Sequence, residues 1–283
     1  MNTYVLFNGL SGNGTGETKA QGVKRFCTGK ELIFRDITKM ESYTDFFASL
    51  QQDDEMILCG GDGTLNRFIN DTDGIGFTQK LFYFAAGSGN DFLRDMRGET
   101  EQTALVELND VIRNLPRVTV KGKTYRVLNG VGYGIDGYCC EVGDALRAKS
   151  DKPINYAGIA VKGLLFHYKP TNARVTVDGE KFEFKKVWLA PTMNGRFYGG
   201  GMIPTPDQKR TDDTLSVMVM YGSGKLRTLM VFPSIFQGEH VKHDKMVFVK
   251  KGKHITVAFD RPVALQVDGE TILNVSEYSI EKG

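Results

Sequence analysis

Residues 55–66 read EMILCGGDGTLN. Glu55–Leu58 is the short apolar run of a buried strand, and helical spacing begins at Leu65. Between them lie Gly60, Gly61, Asp62, Gly63 and Thr64. The glycines are expected to supply positive φ, to let bare backbone approach a ligand, and to turn successive N–H groups into an anion-binding nest. Thr64 would cap the helix from Leu65, whose N-terminus favours a phosphate. Asp62 is the odd member, because a carboxylate beside phosphates is repulsive unless a cation or a proton transfer involves it. The alternative is a plain strand-to-helix turn in which Asp62 only caps.

Working outward, apolar β-rich runs recur at Tyr4–Phe7, Glu31–Arg35 and Leu81–Ala85, separated by helical spacing at Tyr43–Leu50 and Leu65–Asn70. That alternation predicts βαβ units and a parallel, Rossmann-like α/β sheet. Two further strands run into glycine loops, NGLSGNGTG (8–16) and GSGND (87–91), so three such loops share the carboxyl edge where open α/β sheets bind ligands. The first loop is not a Walker A loop, since no Gly-Lys-Ser/Thr follows it. Asp91 adds a second carboxylate at this edge. Alone, 8–16 reads equally as a flexible loop and 87–91 as a tight turn.

From about residue 117 short alternating segments follow one another: 174–177, 181–184, 187–190, 215–221, 246–249, 255–259 and 263–267. This pattern predicts an antiparallel β-sandwich domain with one helical interruption near 143–169. The expected division is therefore 1–120, a nucleotide-binding α/β domain, and 121–275, a β-sandwich domain. At 283 residues with 41% hydrophobic content, the chain can bury ordinary cores without disulfides or metals. A net charge of +2 with no long basic block gives no reason to expect nucleic acid. Cys27, Cys59, Cys139 and Cys140 form no C-x-x-C pair, which fits a reduced, cytoplasmic compartment. No signal peptide or membrane span is expected, since the most apolar stretch, 156–166, is short and holds Lys162. The four histidines show no zinc-type grouping. The basic residues of 147–169 read either as a solvated helix face or as a contact with an anionic membrane surface.

GGDGT (60–64), followed by GSGNDF (87–92) and Arg94, resembles the diacylglycerol kinase catalytic domain, whose superfamily includes bacterial lipid kinases, sphingosine kinases and, more distantly, NAD kinases. Asn8 with Ser11-Gly12 is similar to that family's first phosphate loop. NGVGYGID (129–136) resembles the segment that carries an acidic residue at the domain junction. Asn194 with Gly199-Gly200-Gly201-Met202, Asp213-Thr214-Leu215 and Val267-Asp268-Gly269-Glu270 resemble the later motifs, in the family's order. The chain also departs from the pattern. Gly9 stands where proline is usual, Arg67 where glutamate is common, Asp71 for a glycine and Thr214 for a glycine. One extra residue between Pro206 and Asp213 leaves Asp212 and Asp213 both open as ligands.

The resemblance implies an ATP-dependent lipid kinase acting on the hydroxyl of diacylglycerol or a related lipid, with Mg²⁺, in a cleft between the domains. Asn8, Ser11, Gly12, Gly60, Gly61, Gly63, Thr64, Gly87, Ser88, Gly89 and Asn90 would bind the nucleotide. Asp62, Asp91 and Asp136 would hold the catalytic Mg²⁺, and Asp62, Asp136 and Glu270 would be catalytic, with Glu270 the general base. Val177-Asp178-Gly179-Glu180 repeats the late tetrapeptide, so only position favours Glu270 over Glu180. Asp213, with the carbonyls of Arg210 and Leu215, resembles a second, structural Mg²⁺ site. The resemblance further implies that residues from about 276 to 283 return to the first domain, that the lipid is met at the inner membrane face, and that a homodimer forms. An NAD kinase and a non-catalytic nucleotide- or lipid-binding homologue are the alternatives.

Overall fold

The computed structural model describes residues 1–87, 89–97, 105–149 and 154–283. Two compact units divide between Leu115 and Pro116.

In the first unit β1 (Thr3–Phe7) leads through α1 (Ser11–Gly14) and α2 (Gly16–Ala20) to β2 (Leu32–Asp36). Then come α3 (Tyr43–Ser49), β3 (Glu55–Gly60), α4 (Asp62–Asp71), β4 (Lys80–Ala85), α5 (Asp91–Arg97), β5 (Val106–Glu107) and α6 (Asn109–Arg113). The sheet order is β2-β1-β3-β4-β5, parallel except for β5. β1 and β3 are buried almost along their length, as strands covered on both faces must be. Val5, Phe7, Ile57, Cys59 and Phe84 share a core with Ala20 and Val23 of the segment after β1. The order reverses between β1 and β3, which makes their carboxyl ends a topological switch point. The loops at 8–16 and 60–64 flank it.

The second unit holds β6 (Arg117–Val120), β7 (Lys123–Arg126), β8 (Gly130–Gly134), α7 (Ile135–Arg147), α8 (Tyr156–Lys162) and a single π turn over Gly163–His167. It continues with β9 (Thr171–Val177), β10 (Glu180–Val187), β11 (Leu189–Met193), β12 (Leu215–Met220), α9 (Lys225–Val231), β13 (Val247–Gly252), β14 (His254–Val267) and β15 (Glu270–Glu281). These strands form the antiparallel β-sandwich in the order β13-β12-β11-β8-β14-β15-β6-β7, with β9 on β14 and β10 on β9. The two segments expected at 255–259 and 263–267 are one strand, β14, whose register breaks between Ala258 and Val263. Its first half pairs with β9 and its second with β8. The helical interruption starts earlier than expected, at Ile135, because Gly134 turns the chain at φ 115° out of β8. Residues 117–120, expected in the first domain, and 276–283, expected to return to it, fall in the second unit, where Ser279–Glu281 pair with Thr119–Arg117.

Candidate active site

In the first unit the 60–64 loop is shaped differently from expectation. None of Gly60, Gly61 and Gly63 has a positive φ. Gly61 is extended (φ −93°, ψ −177°) and caps α4, which begins at Asp62 rather than Leu65. Thr64 therefore lies inside the first turn, buried, with its N–H donated to the Gly61 carbonyl at 3.0 Å. The glycines are needed for close approach instead. A Cβ on Gly87 would lie 2.5 Å from the Gly61 Cα, and one on Gly60 would lie 2.5 Å from the Thr64 Cβ. Gly63 faces open space.

Asp62 explains why the two loops meet. Its Oδ2 accepts the Asp91 N–H at 2.7 Å and its Oδ1 the Phe92 N–H at 3.1 Å. The carboxylate is thus the N-terminal cap of α5, supplied by the neighbouring loop. The backbone ties the same pair: Ala86 N–H donates to the Gly60 carbonyl at 2.8 Å, and so does the Tyr83 hydroxyl at 2.9 Å. Asn90, left-handed at φ 50°, donates its Nδ2 to the Gly87 carbonyl at 2.9 Å. Gly89 is exposed, Asp91 is buried, and Ser88 lies outside the described residues.

The first loop is closed by local bonds. Asn8 Oδ1 accepts the Leu10 N–H at 3.0 Å, and Ser11 Oγ donates to the Asn8 carbonyl at 2.8 Å. Gly12 is left-handed at φ 58°, a real demand for glycine. Gly9 donates its N–H to Asp36 Oδ1 at 3.0 Å, a bond that proline at this position could not make. Burial raises the Asp36 carboxyl, but this bond and those from Thr38 outweigh it and hold the group below its ordinary range. Two other departures also belong together. Arg67 and Asp71 stand one helical turn apart on α4; burial raises the Asp71 carboxyl above its ordinary range, and the Arg67 charge offsets part of that rise.

In the second unit Asp136 sits in the first turn of α7, buried. Its Oδ1 accepts the Gly137 N–H at 2.9 Å, and Oδ2 faces the Tyr198 hydroxyl at 3.4 Å and Gln266 Nε2 at 3.5 Å. Burial pushes its carboxyl up to about 6, while these donors pull the other way. Gly132 makes the room, since a Cβ there would fall 1.7 Å from Oδ2. Tyr198 is aimed by the glycine run: it pairs with Met202 across Gly199, Gly200 and Gly201, all at positive φ. Sequence reasoning named neither Tyr198 nor Gln266. Each adjoins a quoted motif, yet nothing local in the sequence points either side chain at Asp136.

The duplicated Val-Asp-Gly-Glu stretches form the same turn. Asp178 and Asp268 have φ 48° and 49°, followed by Gly179 and Gly269 at 88° and 92°. Both aspartates accept backbone N–H groups of another segment, Asp178 from Lys253 and His254, Asp268 from Leu128, Asn129 and Gly130. Burial lifts the Asp268 carboxyl to about 6 against those three donors. What separates the turns is Gln266, whose Oε1 accepts the Gly269 N–H at 2.8 Å while its Nε2 faces Asp136. Glu270 thereby adjoins a turn linked to the buried acid, whereas Glu180 pairs with Lys250 at 2.9 Å.

Whether these residues suit Mg²⁺ differs between the two expected positions. Both Asp62 oxygens accept backbone N–H groups, which suits a contact with a cation through water rather than a direct one. Among the described residues no group of three or more His, Cys, Asp or Glu side chains is set to hold a metal directly. Arg210, Asp213 and Leu215 do not make a divalent-cation site: Asp213 turns outward to Lys253 at 2.8 Å. The Arg210 carbonyl accepts the Lys282 ammonium at 3.1 Å, and Leu215 pairs with Gly252 in the β12–β13 ladder.

A parallel sheet with glycine loops at its carboxyl edge, in a chain that also carries an antiparallel sandwich, is an α/β architecture of the kind that binds ligands at a switch point. The family comparison agrees. Residues 2–120 match the diacylglycerol kinase catalytic domain, and residues 129–278 match the YegS C-terminal NAD kinase beta sandwich-like domain. The chain belongs to this diacylglycerol kinase family. It is 28% identical to a diacylglycerol kinase of Staphylococcus saprophyticus, over 81% of this chain and 75% of that protein. It is 24% identical to the diacylglycerol kinase of Bacillus subtilis, over 79% and 73%. The crystal structure of a diacylglycerol kinase from Bacillus anthracis superposes with a TM-score of 0.62 at 17% identity, covering 100% of this chain and 94% of that one, and shows the same fold.

Proposed function

We propose that the chain is an ATP-dependent lipid kinase that transfers the γ-phosphoryl group to the hydroxyl of diacylglycerol or a related lipid. The observation that carries this reading is the Asp62 bridge, which locks two glycine loops into one bare-backbone surface at the carboxyl edge of β3 and β4. Such a surface would let phosphates come close to the backbone, where glycine N–H groups can serve as donors. Asp62 would hold Mg²⁺ through water, and the ion, when bound, offsets the charge of the donor phosphates. Asn8, Ser11 and the 87–91 loop would complete the cradle. Glu270 would take the acceptor hydroxyl's proton, and Asp136, buried and partly protonated near neutral pH, would tune the charge around its hairpin.

The lipid would be met at a membrane surface. Support comes from Phe166, Leu226 and Met230, large apolar side chains exposed beside Lys162, Lys225 and Arg227. Lys225 Nζ donates to the Leu165 carbonyl at 3.0 Å, which brings the start of α9 against the π turn. No helix among the described residues is long and apolar enough to cross a bilayer.

The test is transfer of labelled phosphate from ATP to diacylglycerol in mixed micelles, run beside NAD as acceptor. Transfer to the lipid is expected, with E270Q lowering kcat at least about 100-fold and leaving the melting midpoint unchanged. Product in NAD alone would replace the lipid reading, and no product in either would favour a binding protein.

A further inference from the structure

The structure assigns the role of the expected second metal ion to a side chain: we propose that the Lys282 ammonium is a built-in cation for the 194–215 region, so that its folding needs no divalent ion. This goes beyond the proposed transfer reaction and stands whether or not that reading holds.

Lys282 Nζ donates to Asn194 Oδ1 at 2.8 Å and to the Arg210 carbonyl at 3.1 Å. Those two oxygens belong to a polar knot around the start of β8. The Arg210 guanidinium donates to the Leu128 carbonyl at 2.5 Å and to Asn129 Oδ1. Asn194 Nδ2 donates to the Leu128 carbonyl at 3.1 Å, and the Asn194 N–H donates to the Asn129 carbonyl at 2.9 Å. The N–H side of the same segment is held by the Asp268 carboxylate. Residues 128–130 are therefore clasped between an anion on their donors and the Arg210 guanidinium and Asn194 amide on their acceptors, and Lys282 in turn holds those two residues through their oxygens.

A divalent ion fits poorly here for three reasons. Mg²⁺ demands near-octahedral oxygens at about 2.1 Å, normally with a carboxylate among them. The two carboxylates expected as ligands are engaged elsewhere, Asp212 with Lys251 at 2.9 Å and Asp213 with Lys253 at 2.8 Å. The Asp213 side chain is 78% exposed, so it faces solvent and not the knot. Finally, a dication would enter beside Arg210 and Lys282, two charges of its own sign. The ammonium supplies three donors to carbonyl and amide oxygens without needing a carboxylate. The extra residue in the Pro206–Asp213 stretch accompanies the outward turn of Asp213.

Thermal melts of the full chain in excess EDTA and in excess Mg²⁺ test this, on the parent, D213N, K282M and K282R. The parent midpoint is expected to be the same in both buffers, and D213N to match the parent within about 1 °C, as an exposed pair should. K282M is expected to lose about 3 °C or more in both buffers, and K282R, which keeps the charge, to recover most of the loss. K282R decides the matter if K282M fails to fold, since a residue serving only as packing would not be rescued by charge. Stabilisation of the parent by Mg²⁺ that D213N abolishes would overturn the proposal, as would a K282M variant that melts like the parent.

Discussion

Asp62 caps α5 through the Asp91 and Phe92 N–H groups, and in the proposed reaction the same carboxylate would hold a hydrated cation. Its oddity was legible in GGDGT, but the capped helix lies about thirty positions on, beyond any local pattern. Asp136 was legible only through family resemblance, and its environment yields a prediction with a definite sign. Its folded carboxyl titrates near 6, above the ordinary value of 3.8, so folding favours the protonated acid. Its contribution to stability is therefore greatest in acid, falls as pH rises from about 4 to 6, and is flat above. Asp136→Asn should remove that slope and be more stable at neutral pH by about 3 kcal/mol. Urea unfolding of both proteins across the range reads the difference, and parallel curves would refute it. Buried His240, held below its ordinary value by burial, contributes a slope of opposite sign in both proteins and cancels.

At the scale of elements, the alternation of strand and helix was readable because apolar periodicity reports burial directly. The β3–α4 and β4–α5 loops were readable as glycine loops at the carboxyl edge of the sheet, but the reason for their glycines was not. Backbone approach between segments 26 residues apart leaves the same letters as a left-handed turn. The distinction can be measured. Gly87→Ala places a methyl 2.5 Å from the Gly61 Cα and should cost about 2 kcal/mol. Gly63→Ala meets nothing within 4 Å in a helix and should match the parent or exceed it slightly. If the Gly63 backbone faces phosphate, the same variant should still bind ATP at least about tenfold more weakly. Denaturant midpoints and nucleotide titration separate the outcomes, and full affinity in Gly63→Ala would remove that residue from the cradle. The Arg67–Asp71 spacing also becomes intelligible at this scale, since two departures that puzzle singly are opposite charges one turn apart.

For the whole molecule, composition and periodicity specified an α/β unit followed by an antiparallel sandwich, and strand pairing sets residues 117–120 and the last strand together in the second unit. The exposed cluster of Phe166, Leu226 and Met230 was not legible, because its members come from segments 60 residues apart. Replacing all three by serine should lower binding to anionic vesicles about tenfold without moving the melting midpoint, a comparison that sedimentation and thermal melts make directly. Self-association lost in the variant, with vesicle binding unchanged, would instead mark the patch as a contact between copies. The position of β15 has a further bearing, on synthesis. It lies between β14 and β6, so the β6–β7 hairpin, made early, has no sheet neighbour until residues 270–281 arrive. The first unit can close while the ribosome is still at work, but the sandwich must wait for residues 270–281, with its early hairpin exposed to whatever holds nascent chains in the meantime.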